Sequence, residues 1–243
     1  MVRLDLFFSK AFRRAAYPLL RLVGRDNLTY KRISPRTHLS RIGSTHGGWV
    51  VPTDLLNADS VCYCVGCGED ITFDIGLIER FGCHVYAFDP TPRAIKHVRD
   101  HAGPYKNYHF LDVGVWNEET TLKFYAPRNP AHVAHSGLNL QKTREFFYAR
   151  VNTLKNLMQE NEHKALDLLK LDIEGAEYVV VDSIIRDRID ISILCIEFDE
   201  YLHPMDRGYI ERIATSVDAL SRAGYSLVSS EGNGNYSFIR DPR

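Results

Sequence analysis

Ser60-Val61-Cys62-Tyr63-Cys64-Val65-Gly66-Cys67-Gly68 is a short apolar run that stops at a glycine turn. Behind it, Ile71–Phe81 carries apolar residues at helical spacing (Ile71, Ile75, Ile78, Phe81) and closes at Gly82, a natural residue for ending a helix. The stretch therefore predicts strand, turn and helix, and the rhythm repeats outward from it. His84–Phe88 reads as a second buried strand ending at Asp89-Pro90, Pro92–His101 as a helix, and Tyr108–Leu111 as a strand ending at Asp112. There the alternation pauses. Thr121–Tyr125 and Phe147–Val151 read as extra strands around a loop rich in Pro, His, Ser and Asn, and Asn152 or Thr153 caps a helix running to about His163. Strand Asp167–Leu171, helix Ala176–Arg186, strand Ile191–Phe198 and helix Tyr209–Ala223 follow. Tyr225–Ser230 and Tyr236–Arg240, joined by Gly232-Asn233-Gly234-Asn235, read as a closing antiparallel hairpin. This order predicts an α/β fold: a doubly wound, mostly parallel, Rossmann-like sheet of seven strands with right-handed crossovers. In such sheets ligands sit beyond the carboxyl ends of the strands, where Gly66, Asp89, Asp112, Asp172 and Glu197 all fall.

Upstream of residue 48 the chain changes character. Residues 1–50 carry ten Lys/Arg against two Asp/Glu, whereas the remainder carries twenty against twenty-nine. Residues 3–23 space Leu4, Phe7, Phe8, Phe12, Ala15, Leu19 and Leu22 as an amphipathic helix, broken or kinked near Pro18. Such a segment packs on the domain, pairs in a homodimer or touches a membrane surface peripherally. Residues 24–59 read as a polar, irregular connection. We accordingly divide the chain into a basic, partly helical arm (1–47) and one catalytic-size domain (48–243). No apolar stretch reaches the length of a membrane span, and Arg13, Arg14 and Arg21 interrupt what would be a secretory signal. Five cysteines, an odd number with three inside six positions, do not suggest a disulfide framework, so a cytoplasmic setting is expected. Cys62, Cys64 and Cys67 read as small packing residues rather than as metal ligands.

The glycine turn lets the backbone pass close to a nucleoside or amino-acid group, and Asp89, 21 residues after Gly68, can accept hydrogen bonds from both hydroxyls of a ribose. A dinucleotide site would want a third glycine where this chain has Ile71, and Glu69 and Asp70 would repel a pyrophosphate. A ligand with a positively charged amino-acid end and no phosphate suits these acids. S-adenosylmethionine is such a ligand.

Leu168-Leu169-Lys170-Leu171-Asp172-Ile173-Glu174-Gly175-Ala176-Glu177 closely resembles the FkbM family of methyltransferases, and Cys195-Ile196-Glu197-Phe198, Val65-Gly66-Cys67-Gly68 and Ala87-Phe88-Asp89-Pro90 agree with it. The resemblance covers about residues 48–240. It implies a class I methyltransferase fold, S-adenosylmethionine as cofactor and O-methylation of a small hydroxylated molecule or a saccharide. Two departures stand out: Cys64 and Gly68 occupy positions where the family commonly has an acidic residue and Asn. Glu69 or Asp70 can take over the methionine ammonium. On this reading Gly66, Cys67, Gly68, Glu69, Asp70, Asp89 and Asp172 bind the cofactor. Fold analogy puts Asp112 and Val113, at the end of the third strand, beside the adenine. Asp172, Glu174 and His135 are the candidate catalytic residues: Asp172 to orient, Glu174 or His135 to take the acceptor's proton. Glu174 and Glu197 equally suit structural roles, and His132 and His203 are weaker bases. Two rivals remain: a nicotinamide-dependent oxidoreductase, and a non-catalytic cofactor-binding module docking a partner through the arm. A nucleic-acid substrate is not expected, because the basic residues lie in one arm and not around the predicted site.

Overall fold

The computed structural model describes residues 19, 22–26, 28–232 and 234–241. Its centre is a seven-stranded sheet of β3 (Val61–Val65), β4 (His84–Phe88), β5 (Tyr108–Leu111), β9 (Leu166–Leu171), β10 (Ile191–Glu197), β11 (Tyr225–Ser230) and β12 (Asn235–Arg240). The strand order is β11-β12-β10-β9-β3-β4-β5, and only β12 runs against its neighbours. The first strand, β3, lies between β9 and β4, so the order reverses beside it and opens a crevice at the carboxyl end of the glycine-turn strand.

Both faces of this sheet are covered, which explains why its strands are apolar throughout rather than alternating. In β3, Tyr63 and Val65 point into one core and Cys62 and Cys64 into the other. The first core packs against α3 (Leu154–Glu160), α4 (Glu177–Asp187) and α5 (Tyr209–Arg222) through Leu157, Val180, Ile184, Ile213 and Val217. The second packs against α1 (Thr72–Phe81) through Phe73 and Leu77. Helix α2 (Pro92–His101) begins with Pro at its first position and buries Ala94 and Val98.

Two parts of the chain differ from the sequence reading. Residues 24–59 are not an irregular connection: β1 (Leu39–Ile42) and β2 (Trp49–Pro52) form an antiparallel hairpin. Ile42, Trp49 and Val51 fill the second core beside Phe73, so burial and not local polarity decides their structure. The hairpin straddles the division drawn between residues 47 and 48. Upstream, buried Asp26 accepts hydrogen bonds from the Leu28 and Thr29 N–H groups and from the Ser230 and Tyr236 hydroxyls, which staples this segment onto the C-terminal hairpin. The amphipathic helix expected over 3–23 lies outside the described residues, apart from Leu19, Leu22 and Val23, which are exposed.

The other difference is a second small sheet. β7 (Thr120–Tyr125) and β8 (Phe146–Thr153) pair as expected, but β8 also pairs in parallel with β6 (Gly114–Trp116), which the sequence reading missed. This sheet and the strap over 126–145 stand beside the crevice.

Candidate active site

A cavity of about 380 Å³ opens at the switch point of the sheet. That volume suits a cofactor-sized ligand. Its walls bring together Gly66, Cys67, Gly68, Glu69, Asp70, Asp89, His135, Asp172 and Glu174, residues scattered over 109 positions of sequence. The structure does not bring Asp112 and Val113 to it. Val113 is buried in the first core, and the wall there is made by the next residues, Gly114, Val115 and Trp116 of β6. The chain turns into β6 immediately after Leu111, which carries the ligand-facing positions two or three residues further on.

The glycine turn is shaped by close approach. A Cβ on Gly66 would lie 1.8 Å from the Asp172 carbonyl oxygen, and its φ of 84° is in the left-handed region. Asp89 holds the turn from the other side. Its Oδ2 accepts the N–H groups of Cys67 and Gly68, each at 2.9 Å, and its Oδ1 accepts that of Thr91 at 2.8 Å. Its first task is thus to fix the turn; a lone pair on Oδ1 is what remains for a ligand hydroxyl.

The two acids after the turn are already engaged. Arg93 Nε donates to Glu69 at 3.0 Å, and its other nitrogens reach the carbonyls of Pro130, Ala131 and His132 in the strap. Asp70 accepts from the Ser44 hydroxyl at 2.5 Å and from the Thr72 N–H and hydroxyl. Burial would raise the Asp70 carboxyl, but these hydrogen bonds outweigh it and hold it below the ordinary range. Asp70 thereby brings the 44–47 turn, with His46 and Gly47, to the cavity rim. No sequence signal tied that segment to the site.

Across the cavity the Asp-Ile-Glu-Gly-Ala-Glu segment forms an acidic wall. Glu174 sits in left-handed backbone (φ 56°), fixed by its N–H to Asp199 Oδ2 at 2.8 Å and by Ser136 Oγ, which donates to its carbonyl at 2.6 Å. Behind it Glu177, fully buried, accepts the N–H groups of Ile173 and Gly175. Burial first, and then the charges of Asp172, Glu177 and Asp89, push the Glu174 carboxyl up to about 8. Burial and Asp172 likewise push Glu197 up to about 9, and burial raises Glu177 to about 7. Glu197 and His203 are not among the residues of the cavity wall. His135 Nδ1 lies 2.8 Å from the Val133 carbonyl. A carbonyl only accepts, so this nitrogen donates, which leaves Nε2 as the ring nitrogen not engaged by that contact.

Sequence reasoning quoted Lys170 within its motif and gave it no role. It is 4% exposed, yet its ammonium reaches the cavity wall, where it donates to the Gly66 carbonyl and pairs with Asp172 at 3.2 Å. The residue type was the signal: a lysine inside an apolar strand needs buried partners.

Residues 67–227 match the model of the methyltransferase FkbM domain. The chain belongs to the FkbM methyltransferase family. The family's methyl donor is S-adenosylmethionine, and the family takes the place of the nicotinamide-dependent alternative. The chain is similar to the probable methyltransferase-like protein 24 of Homo sapiens, at 24% identity over 198 residues, which is 77% of this chain and 47% of that protein. Its Rattus norvegicus counterpart is 22% identical over 229 residues, covering 90% and 55%. The chain thus spans about half the length of the curated relatives it matches. Among solved structures it is similar to the Methanococcus jannaschii fibrillarin pre-rRNA processing protein, with a TM-score of 0.44, 12% identity, and 77% and 69% of the two chains covered. The donor set of this FkbM cavity fits S-adenosylmethionine. Asp172 suits the positive end of the donor, while Phe88, Pro90, Val115 and Trp116 supply apolar surface for a flat base.

Proposed function

We propose that this FkbM methyltransferase O-methylates a small hydroxylated acceptor, a saccharide being one form of it. The observation that carries the reading is the meeting of Glu174 and His135 in the cavity that also holds the glycine turn and Asp172. Burial and neighbouring charge lift the Glu174 carboxyl to about 8, within reach of the role of a base acting on a hydroxyl. S-adenosylmethionine, when bound, supplies an activated methyl group for in-line displacement. The residues position and deprotonate: Asp89 Oδ1 accepts a ribose hydroxyl, Asp172 faces the positive end of the donor, and Glu174 removes the acceptor's proton, with His135 Nε2 alongside. The apolar outer wall of Leu122, Phe124 and Trp116 bounds the acceptor. An acid-lined cavity repels a phosphate backbone, which supports a small acceptor over a nucleic acid. The basic excess of residues 1–50 supports a docking role for that end of the chain, toward a second copy or a membrane surface.

The test is S-adenosylhomocysteine release from S-adenosylmethionine with pools of hydroxylated metabolites and sugars. Turnover with a hydroxylated pool, lowered about 100-fold or more in Glu174→Gln, is expected. Turnover with amines only would overturn O-methylation. Donor binding without turnover in any pool would favour a cofactor-binding module over an enzyme.

A further inference from the structure

Among the described residues Lys170 is the one buried cation, set against carboxylates on two sides. Just past the end of its own strand, Asp172 lies 3.2 Å away at the cavity wall. From α1, Asp74 stands behind it, 2% exposed and accepting from the Tyr108 hydroxyl at 3.0 Å. Cys64 on β3 and Cys67 in the turn face it as thiols, and Cys195 and Glu197 face it from β10. Burial alone would depress the ammonium, yet Asp172 and Asp74 hold its affinity for the proton above the ordinary value. Desolvating such an ion is costly, so two carboxylates and a carbonyl must offset it.

The geometry gives that expenditure a purpose. The Gly66 carbonyl and the Asp172 carboxylate leave adjacent strands, β3 and β9, and both line the cavity. Lys170 Nζ bonds to both of them. The strand ends are pressed together there, since even a Cβ on Gly66 would collide with Asp172. We infer that Lys170 is a positioning residue for the methyl donor: its ammonium sets Asp172 against the glycine turn, and the donor's affinity runs through that pair. Its effect on the donor runs through Asp172, the carboxylate it pairs with at the cavity wall. The inference rests on the donor-site reading of the cavity and names a determinant beyond it.

The experiment titrates S-adenosylhomocysteine and S-adenosylmethionine calorimetrically into the full chain as wild type, Lys170→Met, Asp172→Asn and the double variant. Circular dichroism and thermal melting verify the fold of each. Lys170→Met is expected to weaken both ligands about tenfold or more while remaining folded, and the double variant to bind no worse than the weaker single variant. Purely structural damage would instead multiply with the Asp172 loss. If Lys170→Met leaves Asp74 uncompensated and fails to fold, Lys170→Met with Asp74→Asn removes the stranded charge, and the same affinity loss is expected there. Affinity within about threefold of wild type in a folded variant, or multiplied losses in the double, overturns the inference. Absence of binding by the wild type itself would instead contradict the donor-site reading, and the two failures are thus distinguishable.

Discussion

At the scale of single residues, the site is organised by groups whose first duty is to other groups in the protein. Asp89 illustrates this: its sequence position suggested a ribose clamp, yet three backbone N–H groups claim most of its carboxylate. Gly66 is the least replaceable position. Gly66→Ala would place a methyl group 1.8 Å from the Asp172 oxygen and strain the left-handed backbone, so loss of donor binding and a fall in stability exceeding about 2 kcal/mol are expected in urea titration. Glu174 gives a pH signature. Its carboxyl, near 8, must lose its proton to act as a base, so turnover should rise with pH through that value. Asp172→Asn removes the largest neighbouring charge that raises it, so the midpoint should move to lower pH in a rate profile at saturating donor. The same elevation carries a stability sign. The folded state retains the Glu174 proton that the unfolded chain has lost above about pH 4.5, so stability falls as pH rises from there through about 8. Glu174→Gln should accordingly raise the melting temperature of the ligand-free protein at pH 8 and change it little at pH 4.

At the scale of elements, strands and helices of the central sheet were legible because burial on both faces leaves continuous apolar runs punctuated by Gly, Asp and Pro. The helix Pro92–His101 is read from sequence to the residue, since Pro92 marks its start. Elements that owe their form to tertiary contact were not legible. The β1–β2 hairpin is two four-residue strands, too short to show a period, and β6 is three residues that exist as a strand only because β8 lies beside them. The same blindness put Asp112 and Val113 where the structure has Gly114–Trp116 lining the cavity. One stretch of the strap over 126–145 is tied down by Arg93, which is charge-balanced by Glu69 and donates to three successive strap carbonyls. Arg93→Ala should leave the melting temperature nearly unchanged but weaken donor binding and speed amide exchange across 130–136. Hydrogen exchange read by mass spectrometry checks this, and unchanged exchange would show the strap to be held elsewhere.

At the scale of the whole molecule, a buried polar contact away from the cavity ties an upstream segment to the closing hairpin. Asp26, far upstream of the glycine turn, is buried against Ser230 and Tyr236 of the closing hairpin. Asp26→Ala would remove the acceptor shared by three hydroxyls and two N–H groups, a loss of about 2–4 kcal/mol expected from denaturant unfolding, with donor affinity retained in the folded fraction. None of the described helices is long and apolar enough to cross a membrane. The acidic wall of the cavity, with Lys170 its one buried cation, explains at this scale why a cationic donor fits where a pyrophosphate cofactor does not. The central claim, that this cavity is the donor site of an FkbM methyltransferase, is tested most directly by calorimetric titration of the wild-type chain with S-adenosylhomocysteine, alongside NAD and the Asp172→Asn variant. A single S-adenosylhomocysteine site, weakened in Asp172→Asn, with no heat from NAD, is the predicted result; a folded wild type that binds NAD, or that leaves S-adenosylhomocysteine unbound, would contradict it.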